Sequence, residues 1–272
     1  RRHHQPVFFD RYRPWSGATA MTKGTLVIAG LGPGHDTLIT PEVTEALAMA
    51  TDVIGYIPYV ARIPPRPGLN LIASDNRVEL ERAQHALQLA GEGHRVVVVS
   101  SGDPGVFAMA SAVFEAIEVG PALWRDLDIR VLPGITAMLA AAARCGAPLG
   151  HDFCAINLSD NLKPWTLIEK RLRLAVEADF AMGFYNPRSN ARPEGFGRAL
   201  RLLQQLCDNQ RPIIFARAVS TEAEAINILP LQNATPEMAD MRTVVLLGSS
   251  TTRLIERVDK PPLVYTPRSV PS

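Results

Sequence analysis

From Thr25 onward, short apolar runs alternate with longer stretches in which apolar positions recur every three or four residues. Short continuous runs predict buried strands, and the longer period predicts amphipathic helices. In the first half the expected strands are Thr25–Ala29, Asp52–Gly55, Arg95–Ser100 and Asp128–Leu132. The expected helices are Pro41–Ala50, Arg77–Ala90, Val106–Val119 and Thr136–Arg144. Thr40 reads as an N-cap with Pro41 at the first helical position, and Gly91 and Gly146 read as stops. Around Ala147–His151 the rhythm resets. A second series follows: strand Phe153–Leu158, helix Trp165–Ala178, strand Phe180–Tyr185, helix Glu194–Asp208, and strands Pro212–Ala218 and Thr243–Leu247.

Alternation at this spacing predicts an α/β fold of two α/β domains with mainly parallel sheets. The division expected is an N-terminal extension over 1–20, an α/β domain over 21–132 and a connecting helix and linker over 133–151. A second α/β domain over 152–260 and a proline-rich tail over 261–272 complete it. The extension, RRHHQPVFFDRYRPWSGATA, is arginine-rich and lacks an apolar core of signal-peptide length.

Three strand–glycine junctions in the first half draw attention to themselves: Gly30-Leu31-Gly32-Pro33-Gly34, Ser101-Gly102-Asp103-Pro104-Gly105, and Leu132-Pro133-Gly134-Ile135-Thr136. In parallel sheets such turns lie outside the carboxyl ends of strands, where ligands bind. Glycine allows close approach of backbone, and proline fixes the turn. The ligand expected there is not a dinucleotide. His35 stands where a third glycine would, and the helix opens only at Pro41, so no glycine turn runs directly into a helix N-terminus. Asp52, placed about where a ribose-binding acid would be, reads as the polar start of a strand. No GK[ST] occurs, and none of the three turns carries Lys or Arg.

Asp103 fits two roles. It can cap a helix with Pro104 at the first helical position. It can also face a ligand, and a carboxylate there repels phosphate and suits hydroxyls, an ammonium or a sulfonium. S-adenosylmethionine carries all three.

The charge balance excludes less than the turns do. With 28 basic and 27 acidic residues and a net charge of +1, there is no global case for nucleic acid. No run reaches the ~18–20 apolar residues of a membrane span. The three cysteines, Cys145, Cys154 and Cys207, show no CxxC spacing, which fits reduced thiols in a cytoplasm. His3-His4 apart, the histidines are scattered, and no metal site is expected.

GLGPG, SSGDPGVF and LPGITA together resemble the class III S-adenosylmethionine-dependent methyltransferases of cobalamin biosynthesis, from about Gly24 to about Leu254. LGHDF at Leu149–Phe153, NLSD at Asn157–Asp160 and FYNPRS at Phe184–Ser189 look like the subgroup that methylates C17 of precorrin-3B with contraction of the ring to precorrin-4. The resemblance implies a homodimer with S-adenosylmethionine and a carboxylate-rich tetrapyrrole in an interdomain cleft. It implies cofactor contacts at Pro33, Gly102, Asp103, Val106, Thr136, Ala137, Asn186, Ala218 and Gly248. Ala218-Val219-Ser220-Thr221-Glu222 departs from the basic, glycine-containing turn usual there, Asn157 replaces a serine, and Lys163 replaces a threonine.

Transfer from an activated methyl donor needs alignment more than a nucleophile, and no GxSxG or Cys/His constellation is present. Ring contraction calls for a general base, for which Asp103, His151, Asp152 and Asp160 are candidates. Arg188, Lys163 and Asp160 are the substrate-facing candidates, with Arg144, Arg62 and Arg66 as further sources of positive charge. Arg188 leads because a guanidinium grips a carboxylate bidentately. Three other readings remain open: a relative acting at another ring position, a nicotinamide-dependent oxidoreductase, and a non-catalytic tetrapyrrole- or nucleotide-binding module.

Overall fold

The computed structural model describes residues 24–75 and 78–269. The expected N-terminal extension, the residue Arg77 and the last three residues lie outside them. In chain order the principal elements are β1 (Thr25–Gly30), α1 (Pro41–Met49), β2 (Asp52–Tyr56), α2 (Ile57–Val60), β3 (Asn70–Ser74), α3 (Glu79–Gly91), β4 (Arg95–Ser100), α4 (Met109–Val119), β5 (Asp128–Leu132) and α5 (Ala137–Cys145). They continue with β6 (Gly146–Ala147), β7 (Phe153–Asn157), α6 (Trp165–Glu177), β8 (Ala181–Tyr185), α7 (Gly195–Leu206), β9 (Pro212–Arg217), β10 (Ala225–Pro230), β11 (Thr243–Leu247), β12 (Arg253–Arg257) and β13 (Lys260–Tyr265).

The chain divides into two compact units. The first takes the chain up to Ala29, Thr40–Ser100 and Met109–Leu132; the second takes Gly30–Ile39, Ser101–Ala108 and everything from Pro133. Where contiguous domains were expected, the first two glycine turns group with the second unit.

In the first unit a five-stranded sheet has the order β3-β2-β4-β1-β5, and the β1–β5, β2–β3 and β2–β4 pairs are parallel. Strands β4, β1 and β5, which precede the three glycine turns, are consecutive in that order. Val96, Val98, Leu26 and Ile28 are buried against the alanine-rich faces of α3 and α4, and the alternate Val97 and Val99 are buried as well. Thr40 caps α1, its Oγ1 accepting from Val43 N at 3.3 Å, and Arg66 Nη2 closes the other end by donating to Ala50 O at 2.7 Å and Leu47 O at 3.0 Å. Arg66 thus caps the C-terminal end of α1.

Asp52 opens β2 with its side chain 2% exposed. Thr51 Oγ1 (2.7 Å), Asn70 Nδ2 (3.0 Å) and His94 Nδ1 (2.7 Å) surround it. Burial raises its pKa, but the bonds from Thr51, Asn70 and His94 outweigh burial and hold the carboxyl below its ordinary value. A depressed folded pKa gives stability that is complete above the unfolded value of ~3.9 and is lost as pH falls through the lower folded value. Asp52→Asn is expected to cost about 2 kcal/mol at neutral pH. It should also flatten the acid limb below pH ~4. Urea midpoints from pH 2 to 7 check this, and an unchanged acid limb would contradict it.

The second unit holds a sheet of order β10-β9-β11-β8-β7. Only β7–β8 is parallel; β8–β11, β11–β9 and β9–β10 are antiparallel. Parallel pairing dominates the first sheet, and the antiparallel pairs gather in this second one. The reason is the connection: a short loop without a helix joins β9 to β10, so the chain reverses instead of crossing over. Helices α6 and α7 cover one face, with Phe184, Phe196, Leu203 and Phe215 at its core.

Helix α5 covers the other face. Met138, Ala141 and Cys145 pack on Ile214, Ala216, Val244 and Leu246. The segment expected to link two domains is thus a core layer, because its small side chains let the helix lie close to the sheet. The expected tail is also corrected, since residues 261–265 lie in β13, which pairs with β12 and, at Val264 and Tyr265, with β6. Pro261 and Pro262 sit where the β12–β13 register shifts, beyond the part that pairs on both sides.

Candidate functional site

The three glycine turns meet backbone to backbone in the second unit. Gly32 N donates to Gly102 O (3.1 Å) and Gly102 N returns a bond to Gly32 O (2.9 Å). Both residues have positive φ, 67° and 63°. A Cβ on Gly30 would lie 2.5 Å from Gly102 O and 2.8 Å from Gly134 N, and one on Gly134 would overlap Gly102 O. Gly102 presses on the third turn as well, its Cβ position being 3.4 Å from Thr136 Cα and 3.7 Å from Ala137 N.

Asp103 binds this set together. Its Oδ1 accepts from Gly105 N at 2.8 Å and its Oδ2 from Gly134 N at 3.0 Å. It does not cap a helix, because α4 begins only at Met109; the segment expected to be helical from Val106 is a loop as far as Ala108. The carboxylate staples the second turn to the third. Val106 N closes the turn on Asp103 O at 3.2 Å.

Two loops of the second unit hold the turns from outside. His35 N donates to Ser220 Oγ at 3.1 Å, fixing the first turn against the loop that follows β9. Ser220 N in turn donates to Glu224 Oε2 (2.6 Å), which Arg144 Nε also reaches (3.0 Å). Arg144 is therefore part of this support. Glu224 feels burial, which raises its pKa, but the Ser220 N–H and Arg144 outweigh it and hold the carboxyl below its ordinary value. Tyr185 at the end of β8 hydrogen-bonds to Thr136 Oγ1 and accepts from Met138 N (3.1 Å), and its ring meets Phe107 edge-on with centroids 5.1 Å apart. Burial pushes the Tyr185 phenol up, opposed by Thr136 and Met138, so it stays protonated at neutral pH.

Four non-glycine residues in these loops have left-handed backbone: Phe107 (φ 52°), Asn186 (51°), Ala218 (47°) and Ser220 (62°). Such conformations persist where surrounding structure over-determines them, as at ligand sites. At Ala218 the turn is closed by Thr221, whose N and Oγ1 both bond to Ala218 O, at 3.1 and 2.8 Å.

Gly102, Asp103 and Thr136 meet in this contact, Val106 closes the second turn, Pro33 lies in the first turn between Gly32 and Gly34, Ala137 follows Thr136, and Asn186 and Ala218 open the loops after β8 and β9. The structure does not bring Gly248 to them. β11 runs antiparallel to β8 and β9, with Leu247 beside Met182 and Ile213, so its last residues lie at the entry ends of those strands. A mainly parallel second sheet would have put Gly248 beside Asn186. Antiparallel β11 instead places Arg242 there, its carbonyl accepting from Ala218 N at 2.9 Å.

His151 and Asp152 precede β7 and share that entry end, about 15 Å of strand away from Asn157 and Tyr185. The Asp152 side chain is 81% exposed, and His151 Nδ1 accepts from Asp152 N at 2.6 Å. Asp160 and Lys163 follow β7 at its exit end; Lys163 Nζ donates to Ser159 O at 2.8 Å. Arg188 follows β8 and lines an open groove of ≈ 470 Å³ with Ser189, Asn190, Asp240 and Arg242. Tyr185 and Ser220 were not singled out from the sequence. A tyrosine at a strand exit was visible inside FYNPRS, whereas Ser220 lies in the segment that departs from the usual pattern.

The donor set fits S-adenosylmethionine better than a phosphate ligand. The turns offer backbone N–H groups, a carboxylate and hydroxyls, with no Lys or Arg among them. Burial drives the Cys145 thiol up to about 11, with Glu224 adding to it, so it is no nucleophile at neutral pH. Among the described residues there is no group of His, Cys, Asp and Glu able to hold a metal ion, and no helix is long and apolar enough to cross a membrane.

The chain has clear counterparts among known proteins. The family model for the Tetrapyrrole (Corrin/Porphyrin) Methylases matches residues 25–235, and the chain belongs to that family. It is 54% identical over 245 residues to a precorrin-3B C(17)-methyltransferase of Sinorhizobium sp, covering 90% of this chain and 96% of that protein. It is 39% identical to a probable cobalt-factor III C(17)-methyltransferase of Salmonella typhimurium, covering 89% and 99%. The crystal structure of the methyltransferase CobJ superposes with a TM-score of 0.85 at 66% identity, over 90% of this chain and 100% of that one.

Proposed function

We infer that the protein is an S-adenosylmethionine-dependent methyltransferase that methylates C17 of precorrin-3B in cobalamin biosynthesis, with contraction of the ring to precorrin-4. The observation that carries this is 54% identity along nearly the whole length of a precorrin-3B C(17)-methyltransferase, against 39% to the cobalt-factor III relative. The cofactor supplies a methyl group already activated on a sulfonium. The chain's task is to place it in line with the ring carbon and to exclude water.

Pro33, Gly102, Val106, Thr136, Ala137, Asn186 and Ala218 form the cofactor cradle in this reading. Asp103 holds its shape, and Tyr185 fixes the third turn by bonding Thr136 and Met138. The general base for ring contraction is sought at the exit ends of β7 and β8, where Asp160 lies, in preference to His151 and Asp152 at the entry end. Arg188 and Lys163 take substrate carboxylates. The working form is a cytoplasmic homodimer.

Turnover of precorrin-3B with methyl-labelled S-adenosylmethionine tests the assignment. One labelled methyl in a ring-contracted product is expected. Binding of cofactor without transfer of label would move the substrate elsewhere in the family, and no binding would remove the cradle.

A further inference from the structure

At the exit ends of β7 and β8, two neighbouring loops carry the basic side chains of Lys163, Arg188 and Arg192. The two strands are parallel neighbours, with Asn157 beside Tyr185. Asn157 Oδ1 accepts from Ser159 N (3.0 Å) and from Asn186 Nδ2 (3.1 Å), which ties the loop after β7 to the loop after β8. The second loop then folds back. Arg192 N donates to Ser189 O (3.0 Å) and Oγ (3.2 Å), and Arg192 Nη1 reaches Asn186 O at 3.4 Å. Lys163, anchored on Ser159 O, belongs to the first loop. Burial lowers its pKa, and repulsion from Arg171 and Arg192 lowers it further, with Asp160 opposing. Lys163 and Arg192, both half-buried, are thus held on two loops tied to each other and share one corner. Such a corner is stabilised by an anion from outside. The corner adjoins the cradle, since Tyr185, one residue before Asn186, bonds to Thr136 of the third turn.

We propose that Arg192 and Lys163 form a carboxylate-binding pair that takes an acidic side chain of the tetrapyrrole beside the cofactor cradle. Arg192 is the specificity-determining member. Its planar fork can hold both oxygens of a carboxylate, while Lys163 adds a point charge. The proposal rests on the methyltransferase assignment above.

The test uses the full chain and two readouts. Arg192→Ala is expected to raise KM for precorrin-3B by about 10–100-fold, with kcat changed far less. Arg192→Lys should recover part of the loss. Uroporphyrin III, an unreactive octacarboxylate, should bind the wild type and lose affinity for both Arg192→Ala and Lys163→Ala. The affinity of S-adenosylhomocysteine should not change. Wild-type turnover with variants that bind both tetrapyrroles normally would overturn the pair alone. Loss of S-adenosylhomocysteine binding together with substrate binding would also overturn it, because Arg192 would then only support the Asn186 loop. A wild type that binds no tetrapyrrole would bring down the assigned function and the pair with it.

Discussion

Gly134→Ala abolishes S-adenosylmethionine binding and lowers the melting temperature sharply; this is the largest effect expected from a single methyl group here. The added Cβ would overlap Gly102 O and lie 3.0 Å from the Cα of Gly30. Every atom it meets is backbone, and each belongs to a turn that another turn already holds. Gly32 and Gly102 exchange two hydrogen bonds, and Asp103 pins Gly134 itself. No side chain can swing aside. Overpacking at a yielding site costs about 1–3 kcal/mol. At this unyielding one ~3 kcal/mol or more is expected, or roughly 6–12 °C in a domain of this size. Calorimetric titration with S-adenosylhomocysteine and a thermal melt check both halves. By contrast Gly195→Ala, where an added Cβ meets nothing within 4 Å, should leave cofactor binding intact. Equal cofactor affinity in Gly134→Ala would mean that the three turns do not form the cofactor site.

The cradle's existence was legible in the sequence because glycines after strands carry their own physical reason. Strands that make continuous apolar runs were legible too: Val96–Val99 and Thr243–Leu247 stand where the pattern put them. The edge strands β3 and β10 were not, although the edge strands β5 and β7 were. In β3 and β10 no residue is fully buried, so neither an apolar run nor a clean alternation marks them. Strand direction left no local trace. Thr243–Leu247 reads the same run parallel or antiparallel, and only the pairing with β8 and β9 sends Gly248 to the far end of the sheet. The position of His151 and Asp152 was hidden for a related reason: the start of a second unit need not lie at the exit ends of its strands, and these two precede the entry of β7. Ser220 and Arg192 act through partners 185 and 6 residues away in the chain, which no local pattern reports.

Asp103→Asn separates the two roles that the sequence left open for this carboxylate. If Asp103 holds the turns, the amide is nearly as harmful as alanine. An aspartate offers an acceptor to both Gly105 N and Gly134 N, at 2.8 and 3.0 Å. An asparagine keeps one acceptor and turns an NH2 group toward the other N–H, so donor faces donor. Charged hydrogen bonds of this sort are each worth about 1.5–3 kcal/mol. The site is only partly buried, so the lower end applies, and a rise of roughly 10-fold or more in the cofactor Kd is expected. The Kd should rise in Asp103→Asn and Asp103→Ala alike, with the melting temperature falling in both. A general base gives the opposite signature: Asp103→Asn would bind S-adenosylhomocysteine normally, transfer no methyl group or fail to contract the ring, and lose a limb of its pH–rate profile. The geometry favours the first outcome, because both carboxylate oxygens already serve backbone N–H groups whose spacing the three-turn contact requires. A tight spot among glycines suits a carboxylate for that reason: it is the one short side chain able to accept from two neighbouring turns at once.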